Sequence, residues 1–254
     1  FNKKLFMLCA SAYTAMAYSL AGSFIGRCYK WGYFPPLLQY NIKTLISNKK
    51  RSILWTGRLL DLKHPESALL IADKLQQSGE DYEMNIIGDG EMMSYMKEKL
   101  NEYNLEDNVH LLGAKSPDEV RRYMEQASIF IATSDYHEGW GAVINEAMNS
   151  GCAVVANSAM GAAPYLIKDG YNGMLYKNGK IEDAYIAVKM LLNNREKCNE
   201  LGVNAYNTIA NEWNAETAAK RLYALSKELM GDKKKSNLFS SGICSKAKII
   251  HKGE

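Results

Sequence analysis

No two of the five cysteines stand in a Cys-x-x-Cys pair; Cys9, Cys28, Cys152, Cys198 and Cys244 are odd in number and scattered. That pattern excludes a zinc ribbon, argues against a disulfide framework and suits a reducing cytoplasm. Four scattered histidines supply no ligand cluster, so no metal site is expected. Basic excess is also missing from the body of the chain. Of the net +3, the stretch from Gly231 to Glu254 holds six lysines against two acids, which leaves the remainder at −1. A body without surplus cations cannot neutralise a run of phosphates, and no nucleic-acid partner is expected.

Long apolar runs are scarce. Leu5 to Gly26 carries no formal charge and is about long enough, at ~20 residues, to span a bilayer. Lys3 and Lys4 ahead of it and Ala15-Met16-Ala17 within it also give it some look of a signal peptide. Ser, Thr, Tyr and Gly dilute it, however, and large aliphatic residues are few. It reads better as a strand, Leu5 to Cys9, and a helix, Ser11 to Leu20, of a soluble domain.

What is present is an ordinary globular composition, 47% hydrophobic and 23% charged, enough for a sizeable core. From Ser52 onward, short apolar runs alternate with amphipathic stretches. Ile53–Thr56, Met84–Ile87, Val109–Leu112, Ile129–Ala132, Ala153–Ala156 and Gly173–Tyr176 read as strands. Between them lie helical patterns over 64–77, 91–103, 139–150 and 162–167, and another over 215–230. Ser116-Pro117-Asp118-Glu119 reads as a helix start, with its serine cap, proline at the first helical position and acid three residues on. Continuous apolar strands alternating with helices predict an α/β fold, a Rossmann-like doubly wound parallel sheet. Ligands in such sheets bind beyond the carboxyl ends of the strands.

The loop after Ile129–Ala132 is the richest of these. Ser134 to Ala147 places an acid, Glu138, before two glycines, Gly139 and Gly141, and a second acid, Glu146, on the following helix. A helix N-terminus offers unpaired N–H groups to a diphosphate. With the helix starting near Trp140, Glu146 lies roughly 9 Å along it, so one carboxylate at the mouth and one further in could hold two hydroxyl-bearing ends of one extended ligand.

These residues resemble a known family. Glu138 through Glu146 matches the E-x₇-E motif of retaining glycosyltransferases of family 4, which have the GT-B fold. Gly57-Arg58 with Lys63 matches that family's G-R…K element, Gly88-Asp89-Gly90 its G-x-G turn, and Leu112-Gly113 its LG loop. Ser11 to Ala15 and Tyr29 to Pro35 resemble the end of the acceptor domain in a bacterial subgroup. The resemblance implies an acceptor-domain remnant over 1–40 and a donor domain over 52–230; the residues themselves read as a linker over 41–51 and a basic, flexible tail over 231–254.

It also implies roles. Arg58 and Lys63 would neutralise the diphosphate of the leaving nucleotide, and Glu138 would bind donor-sugar hydroxyls. The backbone from Gly139 through Trp140 and Gly141 to Ala142 would meet sugar and phosphate. Glu146 would accept both ribose hydroxyls, and Leu112, beyond Gly57 and its strand, would offer backbone groups to the base. No cofactor or metal is implied, since the Asp-x-Asp metal motif of the other major glycosyltransferase fold is absent. The donor would be a nucleotide diphosphate sugar, with a UDP-sugar favoured. The acceptor would be a glycan or lipid-linked hydroxyl in bacterial polysaccharide or glycoconjugate synthesis. Localisation would be cytoplasmic, with peripheral contact at the inner membrane face through Lys233, Lys234 and Lys235. Three other readings share parts of this pattern: a non-catalytic nucleotide-sugar-binding module, a GT-B-type 2-epimerase and a two-carboxylate glycoside hydrolase.

Overall fold

Alternate residues along the central strands face opposite ways, and both sets are apolar. Leu54, Phe130, Val154 and Ala156 enter one core layer, while Ile53, Trp55, Ile129, Ile131 and Val155 enter the other. A sheet buried on both faces must be sandwiched by helices, and the computed structural model of the chain, which describes residues 5–231 and 236–253, shows that arrangement.

The chain opens with β1 (Met7–Cys9), α1 (Thr14–Leu20) and β2 (Cys28–Lys30), followed by an extended stretch from 31 to 40 and α2 (Ile42–Ser47). Then come β3 (Lys50–Thr56), α3 (Glu66–Gln77), β4 (Glu83–Ile87), α4 (Met93–Glu102), β5 (Val109–Leu111), α5 (Pro117–Gln126) and β6 (Ala127–Ala132). The last part is α6 (Ala142–Asn149), β7 (Ala153–Asn157), α7 (Ala163–Leu166), β8 (Met174–Tyr176), α8 (Ile181–Asn193), α9 (Arg195–Asn211) and α10 (Ala215–Met230). Six strands form one parallel sheet in the order β5-β4-β3-β6-β7-β8. Strand order therefore reverses between β3 and β6, and the crevice at their carboxyl ends is where such sheets bind ligands.

Local chemistry explains the helix starts. Ser116 and Glu119 form the reciprocal capping box expected for α5, with Pro117 at its first position. Asn41, Asn194 and Asn214 cap α2, α9 and α10 by accepting amide hydrogens three residues on.

Three features differ from the sequence reading. The expected linker over 41–51 is mostly regular: α2 occupies its middle and β3 starts at Lys50, so the irregular crossing is the preceding stretch, 31–40. Residues 181–211, left without assignment, form α8 and α9. The tail expected to stay unfolded is ordered from 236 to 253. Cys244 donates its amide to Lys30 O, Lys30 to Ser245 O and Ala247 to Cys28 O, which adds a short antiparallel edge beside β2. Ile243, Cys244 and Ser245 are buried there. The lysine-rich composition misled because Lys246 directs its ammonium to Gly26 O and the Tyr29 hydroxyl instead of to solvent. Lys233, Lys234 and Lys235 lie outside the described residues.

No helix among the described residues is long and apolar enough to cross a membrane. The charge-free run near the start is split between β1 and the seven-residue α1.

Candidate functional site

Three strand-end loops meet backbone to backbone at the crevice. Gly57 donates its amide to Ile87 O, Gly88 to Gly113 O and Leu59 to Asp89 O. The approach is so close that a Cβ on Gly88 would lie 1.8 Å from Gly57 O, and one on Gly90 2.5 Å from Leu59 O. The Gly88-Asp89-Gly90 turn is thus a packing requirement: both glycines sit at positive φ, 149° and 157°.

Beyond Gly57, Arg58 is exposed at the crevice wall, and its guanidinium makes no ion pair or hydrogen bond within the described residues. A turn of 3-10 helix, Asp61–Lys63, carries Lys63 back towards the loop after β6. There its ammonium forms an ion pair with Glu138. Thr133 fixes the turn by donating to Lys63 O at 2.6 Å while accepting from the Trp55 indole at 2.8 Å. His64, next in line, bridges Glu66 at 2.9 Å and Asp135 at 3.2 Å. Burial lowers the His64 pKa, but the bonds to the two carboxylates outweigh it and hold the ring above its ordinary value. Asp135 is held low: its burial is outweighed by hydrogen bonds from His137 and His64. Neither His64 nor Asp135 was singled out by sequence, because each fixes its neighbour and belongs to no recognisable spacing. His137 is exposed and turned to Asp135.

The Glu138 loop is braced from the loop after β7. Gly161 donates to Glu138 O and Ala162 to Trp140 O. The two glycines beside Trp140 differ. Gly139 faces open space, whereas Gly141, at φ 88°, is packed against the Met160 methyl. Only Gly139 therefore leaves room for a ligand to reach the backbone. Among the described residues, the amides of Gly139, Trp140, Gly141, Ala142 and Val143 donate to no protein acceptor.

The Trp140 side chain belongs to the core. Its indole is buried, tilted against Tyr33 and Trp213 and edge-on to Tyr165, with Nε1 bonded to Asn145 at 2.8 Å. Any contact it makes with a ligand is through its backbone. Leu112 is similarly restricted: its N–H is spent on Ile86 O, which leaves its carbonyl as the group available to a base.

Glu146 projects from the middle of α6 into a cavity of about 480 Å³ lined also by Pro36, Leu38, Lys115, Val120 and Arg121. Lys115 and Val120 also line the smaller recess of about 310 Å³ around Gly57, Arg58 and Gly88, so the two form one crevice. The Glu146 carboxylate has no hydrogen-bond partner among the described residues. Burial pushes it above the ordinary carboxylate range, offset in part by Arg121. Arg121 itself is bonded to Glu146 O and Ser150 Oγ, both at 3.0 Å. Arg121, Lys115, Pro36 and Leu38 carried no signal in the sequence, since they belong to separate segments that only the fold brings together. No group of three or more possible metal ligands occurs among the described residues.

A 3-2-1-4-5-6 parallel sheet with a charged crevice at its switch point, beside a second smaller β-α-β unit, has the architecture of a GT-B glycosyltransferase. The sequence profile of the glycosyl transferases group 1 family matches residues 39–208, and the chain belongs to that family. The amylovoran biosynthesis glycosyltransferase AmsK of Erwinia amylovora is 33% identical over 145 residues, which are 55% of this chain and 35% of AmsK. Among solved structures, HepE of Anabaena in complex with UDP superposes with a TM-score of 0.72 at 19% identity, covering 88% of this chain and 64% of that one. TarM of Staphylococcus aureus, with UDP and a glycerol-linked GlcNAc, superposes with a TM-score of 0.71 at 20% identity, over 85% of this chain and 42% of TarM. The chain spans 34–44% of the length of the curated relatives it matches first.

Proposed function

We propose that this chain binds a nucleotide diphosphate sugar and takes part in transferring the sugar to an acceptor hydroxyl with retention at the anomeric carbon, as in family 4. The observation that carries this reading is the convergence on one crevice of groups left without partners. Arg58 and Glu146 line it, the free amides stand at the start of the helix that carries Glu146, and each suits a different part of such a donor.

Arg58 and Lys63 neutralise the diphosphate as the glycosidic bond breaks, together with the amides at the helix N-terminus. Gly139 admits the sugar and phosphate to the backbone, and Glu138 accepts hydrogen bonds from sugar hydroxyls. Glu146 accepts from both ribose hydroxyls, a bidentate task that suits a carboxylate. The base lies against the loop bearing Leu112. The acceptor attacks from the leaving-group face, and a donor phosphate oxygen takes its proton. A UDP-sugar is the donor favoured, supported by the UDP in HepE and TarM. Bacterial polysaccharide or glycoconjugate synthesis is the setting favoured, supported by the naming of AmsK for amylovoran biosynthesis.

The direct test is thermal stabilisation by UDP, GDP and ADP. A ligand at about a hundredfold over its Kd adds roughly 2.7 kcal/mol, which for a chain of this size raises Tm by about 5 °C or more. UDP should do so, and Glu146→Ala should abolish most of it. Absence of stabilisation by every nucleotide would remove the donor site. Binding without turnover, by this chain alone and when joined to a complete acceptor half, would leave the binding-module reading in its place.

A further inference from the structure

We propose that Asn149 is a positioning residue for the nucleotide: it holds Pro36 and Leu38 in place as one wall of the Glu146 cavity, and a nucleotide seated there fixes the interdomain stretch in return. The inference rests on the donor-site reading above and assigns a role to residues outside its motifs.

The stretch from 31 to 40 has no regular structure, and among the described residues the only aromatic contact within it is the edge-to-face pair Trp31–Phe34. Its middle is held by side chains of α6. Leu38 donates its amide to Asn149 Oδ1 at 3.0 Å, and Asn149 Nδ2 donates to Leu38 O at 3.0 Å. The asparagine thereby takes the place of a neighbouring strand, which requires an acceptor and a donor in one plane. It is buried to 2% exposure, so water cannot substitute for the pair. One helical turn earlier, Asn145 accepts from the Trp140 indole and donates to Tyr33 O. Tyr40 is fastened separately, to Glu125 at 2.7 Å and to the Tyr206 hydroxyl at 3.1 Å.

Between these attachments Pro36 and Leu38 border the cavity into which Glu146 projects. Leu38 is 38% exposed, an apolar surface left open on that wall. Glu146 and Asn149 stand on the same rigid eight-residue helix. The carboxylate meant for the ribose and the clamp on the opposing wall therefore keep a fixed relation. Loss of the clamp lets the wall drift while leaving Glu146, Arg58 and Lys63 where they are. Nucleoside contacts should weaken and diphosphate contacts should not.

The experiment compares UDP with inorganic pyrophosphate, which lacks the nucleoside, by titration calorimetry, and follows hydrogen exchange of residues 33–40. Asn149→Ala should weaken UDP about tenfold and leave pyrophosphate within twofold of wild type. UDP should slow exchange over 33–40 in the wild type and not in the variant. If Asn149→Ala fails to fold, Leu38→Ala, which trims the wall at a half-exposed position, should show the same split between UDP and pyrophosphate. UDP binding that is unchanged in Leu38→Ala and in any folded Asn149 variant overturns the inference and leaves the donor site standing. Failure of UDP to bind the wild type overturns both.

Discussion

Lys63 and Glu138, 75 positions apart, form an ion pair between the loops after β3 and β6, each side chain less than a quarter exposed. The two residues proposed for the diphosphate and for the sugar therefore neutralise each other when no ligand is bound. A diphosphate must draw Lys63 away and settle near a carboxylate that has lost its partner. Glu138→Gln should accordingly bind UDP more tightly than wild type, by roughly threefold to tenfold, while Lys63→Ala should bind it about tenfold more weakly. Calorimetry on the two variants and their double checks both directions. Equal or weaker UDP binding by Glu138→Gln would show that the pair does not compete with the ligand. Transfer activity should fall in both.

The brace behind that loop leaves no room for a methyl group. A Cβ on Gly161 would lie 1.9 Å from Gly139 O and 2.6 Å from Ser11 Oγ. Gly161→Ala should destabilise the fold by about 1–3 kcal/mol in chemical denaturation and displace the Glu138 loop. The displacement should weaken a UDP-sugar more than UDP alone, since the sugar is the part that this loop meets.

Glu146 should show opposite effects on stability and binding. Because its folded pKa is raised by burial, the folded chain takes up this proton more readily than the unfolded chain. Its ionised form therefore detracts from stability at neutral pH, and the penalty is relieved as pH falls through the folded pKa. Ribose hydroxyls need the ionised form as acceptor. Glu146→Gln should raise Tm slightly at pH 7, by about 2 °C, and lose most UDP stabilisation. In the wild type, UDP affinity should begin to fall, on acidification, at a higher pH than an ordinary glutamate would give. A Glu146→Gln protein less stable than wild type at pH 7 would contradict the burial argument.

Ile243 tests the packing of the C-terminal segment. It is fully buried beside β2, so Ile243→Ala should cost about 2–4 kcal/mol of unfolding free energy. A loss below about 0.5 kcal/mol would mean that the segment adds nothing to the core.

Much of this architecture is legible from residues alone where side-chain period and turn chemistry agree. The apolar runs at Ile53–Thr56, Ile129–Ala132 and Ala153–Ala156 lie within the central strands, and the Ser116 capping box starts α5 as its residues require. The α8 and α9 helices escaped notice because 177–214 holds none of the glycine-bearing motifs that organised the rest. The segment 236–253 was misjudged because composition cannot show a partner more than two hundred residues away. In the crevice, motif residues were visible and their supports were not. Arg58, Lys63, Glu138 and Glu146 stand at recognisable spacings, whereas Pro36, Leu38, Arg121 and Asn149 come from segments that share no local pattern. Trp140 shows the limit from the other side, since its place between two glycines says nothing of an indole turned into the core.

The antiparallel pairing of Tyr29 with Lys246 joins one of the earliest strands to nearly the last residues of the segment. As the chain is synthesised, β1, α1 and β2 emerge long before their closing edge exists. The six-stranded sheet pairs entirely within residues 50–176, so it can form before that edge exists and serve as the surface on which β1 and β2 are closed. The smaller unit's assembly should therefore be the late, slow phase of refolding, and it should be the first part to open on heating.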